Sequence, residues 1–250
     1  MPTNYGFLKE DEMVHHLNGI KIKDLSNNLR NLMRDLFGVL DDEEVVHARK
    51  TDDFIKPDFI IEYRNEKKYV SMKSGKANVV HSEIITTFTA FLLENGISKE
   101  TVETILLYQF GDGTTDGTGK KRLEYDQLRF NLSLRIKKAN KELNADNNFI
   151  MKVIDRCVFV GTLPNAIPAD CIYHGNYEFG MVATKRQFEK HIMRRNWNYI
   201  NNLHIGPLQL RPHARYINSE IVSEKRRRTV DCYWPYYNAD IEFISRRYDF

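Results

Sequence analysis

The residues with the most chemical promise lie in two neighbouring runs. The first is Lys56-Pro57-Asp58-Phe59-Ile60-Ile61-Glu62-Tyr63, and the second is Lys68-Tyr69-Val70-Ser71-Met72-Lys73-Ser74-Gly75. The first is rich in β-branched and aromatic residues, the second carries Tyr69 and Val70, and the polar Arg64-Asn65-Glu66-Lys67 joins them, which predicts an antiparallel hairpin. With residues 64–67 as the turn, Tyr63 faces Lys68 and Asp58 faces Lys73. Directly opposed Cβ atoms sit about 4.5–5.5 Å apart, and alternation puts Asp58, Ile60, Ser71 and Lys73 on one face. A carboxylate and an ammonium presented together suit metal-assisted phosphodiester hydrolysis. The aspartate would hold Mg²⁺, while the lysine would orient or deprotonate the attacking water and stabilise charge growing on the phosphate. An ordinary cross-strand ion pair, worth about 0.2–1 kcal/mol, uses the same two residues.

The surrounding elements must hold this hairpin in place. Leu25, Leu29, Leu32, Met33, Leu36 and Phe37 recur at three-to-four spacing and predict a helix over 24–37, stopped at Gly38. A strand is expected over 44–49 and a helix over 81–94. Residues 104–110 read as a buried strand, 111–119 as a glycine-rich loop, 124–143 as a long helix, and 149–158 as a shorter one. Strands follow around Ile172 and Val182, then a helix over 186–197. The stretch from Leu203 onward alternates apolar and polar residues and predicts a second small sheet. The expected architecture is α/β, divided into a catalytic core over 1–165 and a smaller basic, β-rich region over 166–250.

At the hairpin the chain resembles the PD-(D/E)xK nuclease superfamily, to which most type II restriction endonucleases belong. Pro57-Asp58 stands as the PD, and Ser71-Met72-Lys73 stands where (D/E)xK is expected. The order of helix, strand, hairpin and following helix matches that superfamily's core over about residues 24–110. The resemblance implies a restriction-endonuclease-like mixed sheet flanked by helices, and Mg²⁺-dependent cleavage of double-stranded DNA by site-specific restriction. It implies Asp58 as metal ligand, Lys73 as the residue acting on water, and the Met72 carbonyl as a further ligand. Position 71 departs from the pattern, being serine rather than an acid. Some restriction enzymes with an S-x-K motif take the missing carboxylate from the next helix, and Glu83 is the candidate here, with another carboxylate such as Glu62 as the alternative. An acid in a helix's first turn also complements the helix dipole without any metal.

Polyanion contacts are expected in three places. Lys76 and Asn78 follow the hairpin, and Lys120, Lys121 and Arg122 close the glycine-rich loop. Arg211, Arg215 and the run Lys225-Arg226-Arg227-Arg228 are interleaved with aromatics, as on a β-ribbon that reads a groove. The glycine-rich loop fails the phosphate-loop pattern, because position 114 is threonine and position 121 is lysine. From Lys185 onward there are 13 Lys and Arg against 7 Asp and Glu, whereas the preceding residues carry 24 against 27. Solvated faces often vary this much.

The 250 residues have a net charge of +3, with 42% apolar and 28% charged residues, a globular composition. Cys157, Cys171 and Cys232 form no CxxC pair, which excludes a zinc ribbon and suits free thiols in a reducing cytoplasm. Palindromic sites would make a homodimer and a cognate DNA methyltransferase natural partners, though neither leaves a mark in the sequence. A structure-specific or repair nuclease, and a non-catalytic DNA-binding module, fit the same residues.

Overall fold

The computed structural model describes residues 5–51, 55–75, 78–119, 122–195, 197, 202–213 and 223–247. The chain begins with α1 (Tyr5–Leu17), β1 (Ile20–Lys21) and α2 (Asn27–Phe37), then β2 (Val45–Lys50), β3 (Phe59–Tyr63), β4 (Glu66–Lys73) and β5 (Val79–Ile84). Five helices come next: α3 (Ile85–Glu94), α4 (Lys99–Phe110), α5 (Tyr125–Asn131), α6 (Ser133–Leu143) and α7 (Asn147–Ile154). After β6 (Cys171–Gly175), β7 (Gly180–Thr184) and α8 (Lys185–Arg194) come β8 (His204–Ile205), β9 (Leu208–Pro212), α9 (Glu224–Arg227), β10 (Thr229–Tyr233) and α10 (Tyr237–Arg247). These elements form two compact units. Met1–Ala77, Ile154–Met193 and Tyr236–Phe250 make the first, and Asn78–Val153 and Arg194–Pro235 make the second.

The first unit is built on a mixed sheet. Among the described residues its strand order is β1-β2-β3-β4-β6-β7, antiparallel throughout except for β4 and β6, which run parallel. Phe59, Ile61, Tyr63, Val70 and Met72 project from one face into a core with Met13 and Leu17 of α1 and Leu29, Leu32, Met33 and Leu36 of α2. Burying each such side chain contributes about 1.5–3 kcal/mol, so this face fixes the register of the central strands. The α2 helix starts where Ser26 Oγ accepts from the Leu29 amide, and it stops at Gly38, whose φ of +74° a side chain would resist.

The turn between β3 and β4 departs from expectation. Only Arg64 and Asn65 form it, with φ of +49° and +69°, the left-handed pair that a two-residue hairpin turn demands. The ladder therefore zips further than predicted, pairing Tyr63 with Glu66, Ile61 with Lys68 and Phe59 with Val70. Lys67 Nζ lies 3.3 Å from Glu62 Oε1 across the ladder, and the Arg64 guanidinium holds Asp41 at 2.8 Å. The shift from the expected pairing is two residues. An even shift leaves every side chain on its expected face.

The second unit carries an antiparallel sheet ordered β5-β10-β9-β8, flanked by helices. Three expectations are corrected here. Residues 79–84 are a strand rather than the start of a helix, because Val79, Val80 and Ile84 belong to a segment that pairs with β10. Residues 104–110 belong to helix α4 rather than a strand: Ser98 Oγ caps it by accepting from Thr101, and Gly111 closes it in the left-handed conformation. Val102, Ile105, Tyr108 and Phe110 are all buried, so an apolar run mimics a strand. Finally, the tail is not all sheet, since Tyr237–Arg247, which belongs to the first unit, is helical.

Candidate active site

Asp58 immediately precedes β3, and its backbone is held on two sides. Its amide donates to the Val70 carbonyl at 2.8 Å, and its carbonyl accepts from the Thr51 amide at 3.2 Å. The Thr51 hydroxyl caps the neighbouring Pro57 carbonyl. The observed register carries Asp58 opposite Ser71, not Lys73. Ser71 Oγ donates to Asp58 Oδ2 at 3.3 Å, and the Met72 amide donates to the same oxygen. Lys73 lies two residues beyond Ser71 on the same face. Asp58 and Lys73 thus share a face as expected, but as diagonal rather than facing neighbours. The Met72 side chain is buried in the opposite, core-facing layer.

The β6 strand extends this face. Lys73 pairs with His174, and Ser71 with Ile172. Asp170 ties the strand's beginning to β4, its carboxylate accepting from the Tyr69 amide at 2.8 Å and its amide donating to the Tyr69 carbonyl at 2.7 Å. The His174 ring meets the Tyr237 ring edge-on, with centroids 5.5 Å apart. Burial lowers the His174 pKa below its ordinary value, a hydrogen bond with the Lys73 backbone acting in opposition. The Tyr237 phenol is pushed up by burial and then by the charge of Asp58.

Sequence reasoning missed Glu10. It lies on α1, three residues before Met13 and seven before Leu17, both fully buried, so it interrupts an apolar stripe with a carboxylate. That interruption is the signal in the sequence that could have found it. Lys50, at the end of β2, reaches Glu10 at 3.3 Å and Asp11 at 3.1 Å. The Glu10 pKa is raised, first by burial and second by repulsion from Asp58, against the opposing pull of Lys50 and Lys73. Glu10 therefore feels both Asp58 and Lys73 electrostatically within the first unit. Among the described residues no three His, Cys, Asp or Glu side chains converge as a ready-made metal cage.

Glu83 lies in the second unit, on β5 opposite Val230. Its side chain is 6% exposed and stands 3.3 Å from His81 Nε2, and its place on the strand corrects the expected helix first-turn acid.

The basic residues divide into those spent on structure and those left at the surface. Asn78 is structural, its side chain donating to the Pro235 carbonyl at 3.1 Å and its carbonyl accepting from Trp234 at 2.7 Å. Arg122 is only 9% exposed and donates to the Gln109 carbonyl at 2.6 Å, which corrects its expected availability to phosphate. Burial and then the neighbouring Arg227 depress its pKa to about 10. Arg227 in turn holds the fully buried Asp112 carboxylate at 2.8 Å.

Asp112 organises the glycine-rich loop by accepting from the Thr114 and Gly119 amides at 2.9 and 3.0 Å. A Cβ on Gly119 would come within 2.5 Å of the Asp112 carbonyl. The loop is wound on its own aspartates, as Asx turns, with Asp112 and Asp116 accepting from its amides. Arg228 pairs with Glu224 at 2.5 Å, and Arg211 lies 3.5 Å over the Tyr233 ring. Lys225 and Arg226 are exposed on α9. Lys76, Lys120, Lys121 and Arg215 lie outside the described residues.

Among the described residues no helix is long and apolar enough to cross a membrane. Compared with known proteins, the chain matches no family model and no curated sequence.

Proposed function

We propose that this protein is a Mg²⁺-dependent endonuclease that hydrolyses phosphodiester bonds of double-stranded DNA, with site-specific cleavage of the restriction type. The observation that carries the reading is the shared face of Asp58 and Lys73, with Asp58 fixed by Ser71 and the Met72 amide. A mixed sheet flanked by helices, with the hairpin among its central strands, is the setting that the PD-(D/E)xK resemblance implies.

The donor set suits a hard divalent cation. Asp58 and Glu10 would supply carboxylate oxygens, and the Glu10 pKa, raised first by burial and then by the charge of Asp58, marks a place where a cation would be welcome. Mg²⁺ keeps several waters, so two carboxylates and a carbonyl such as that of Met72 suffice as protein ligands. Glu10 thereby takes the place in the ligand set that sequence reasoning assigned to Glu83. The bound ion would supply a more acidic water and polarise the phosphate.

This chain's own residues do the rest. The Ser71 hydroxyl and Met72 amide orient Asp58 and keep one of its oxygens engaged. The Lys73 ammonium orients the attacking water and meets the charge that develops on the phosphate oxygens. Half-buried His174, whose pKa burial lowers, walls the site beside Lys73 and does not favour a competing positive charge there. Replacement of Asp58 or Lys73 by Ala tests the reading, and full Mg²⁺-dependent cleavage by both variants would refute it.

A further inference from the structure

The α5–α6 segment of the second unit presents a face that its own fold does not use. From Arg129 to Lys141 the chain carries Arg129, Arg135, Lys137, Lys138 and Lys141, with no Asp or Glu. The helices run on through a bend at Leu132, whose amide donates to Leu128 at 3.0 Å and whose carbonyl accepts from Ile136 at 2.8 Å. The α6 helix buries Ile136, Ala139 and Leu143. At 100° per residue the opposite side is centred on Leu134, with Lys137, Lys138 and Lys141 around it. Leu134 is 82% exposed, and Phe130, one turn earlier on the same side, is 81% exposed. Two large apolar side chains thus stand one turn apart in solvent, rimmed by cations. The Lys138 contact with Glu100 at 2.6 Å joins two exposed side chains and holds the lysine only weakly.

We infer that this face docks on duplex DNA, with Phe130 and Leu134 as an apolar wedge against the base stack and the lysines on the flanking phosphates. The charge distribution selects the occupant. A two-fold-related copy of this chain would set like-charged faces against each other. An anionic lipid surface is served by helices with a broad apolar face, whereas here the remaining apolar residues of α6 are buried in the unit. Duplex DNA offers phosphates for the cations and an apolar stack that Phe and Leu enter by partial unstacking, bending the helix. The inference rests on the DNA reading proposed above but not on cleavage.

The test uses the full chain in EDTA, with a short mixed-sequence duplex carrying a fluorophore at each end. Anisotropy reads binding, and energy transfer between the ends reads bending. Phe130→Ala/Leu134→Ala should weaken binding at least tenfold and abolish the bend. Lys137→Gln/Lys138→Gln/Lys141→Gln should reduce the slope of log K against log salt by about two to three. Val39→Ala, at an exposed apolar residue of the first unit outside the proposed site, should bind and bend as wild type. All of these side chains in α5 and α6 are exposed, and unchanged circular dichroism confirms folding. Unchanged binding and bending in the Phe130/Leu134 variant would overturn the inference. A variant that loses only self-association would overturn it in favour of a second copy, and binding to phosphatidylserine vesicles without duplex binding would overturn it in favour of a membrane. Cleavage that survives in Asp58→Ala while the wedge variant loses the bend would refute the active site and leave this inference standing.

Discussion

The Ser71 hydroxyl donates to Asp58 Oδ2 across 3.3 Å, so the serine that stands where the proposed PD-(D/E)xK likeness would have an acid is bonded to the aspartate. Ser71 is 1% exposed, so a second carboxylate at that position would face burial beside Asp58. Serine instead orients that aspartate without adding charge. Ser71→Ala removes one hydrogen bond, worth about 0.5–1.5 kcal/mol. It should lower the Mg²⁺-dependent cleavage rate by roughly 2–10-fold while leaving the metal requirement intact, as measured in single-turnover assays.

Glu10→Gln separates function from stability. A carboxyl whose folded pKa is raised stabilises the fold below its ordinary pKa and loses that contribution as pH rises through the folded value. At neutral pH the ionised Glu10 is therefore a net cost. Glu10→Gln should raise the Tm in EDTA at pH 7, abolish the Tm increase expected of wild type in Mg²⁺, and slow cleavage about a hundredfold. Glu83→Gln should retain the Mg²⁺ response. Calorimetry with and without Mg²⁺ checks both variants.

His174 has the opposite sign. Burial lowers its folded pKa below 6.5, so the unfolded chain binds the proton more readily, and stability falls as pH drops through 6.5 toward the folded value. His204, also depressed by burial, contributes in the same direction. The denaturation midpoint of wild type should decline between pH 7 and 5, and His174→Gln should decline less over the same window.

Asp112→Ala tests the loop. It leaves Arg227 without its buried carboxylate and removes the acceptor for the Thr114 and Gly119 amides. Breaking such a pair costs about 3 kcal/mol, or a Tm loss of roughly 6–12 °C, and thermal denaturation reads it directly.

The strands around Asp58 and Lys73 were legible because alternation and β-branched residues mark half-buried strands, and the apolar spacing of α2 was equally plain. The register was not legible. A two-residue turn requires left-handed backbone at Arg64, a conformation that a non-glycine side chain seldom takes and that composition does not announce. The α4 helix was hidden because it is buried on several sides and so lacks a polar stripe. The strand at Glu83 was hidden because its partner, β10, follows more than a hundred residues later. Glu10 escaped notice because its meaning depends on β2 and Asp58, which only the folded chain brings to it. The faces survived the register error for a simple reason: the slip was even.

The central claim is tested most directly by incubating wild type, Asp58→Ala and Lys73→Ala with a plasmid of known sequence, in Mg²⁺ and in EDTA, and resolving the products on a gel. The account predicts discrete fragments from wild type in Mg²⁺ only, and a loss of about 10³-fold or more in either variant. Undiminished Mg²⁺-dependent cleavage by both variants, or no Mg²⁺-dependent cleavage by wild type, would contradict it.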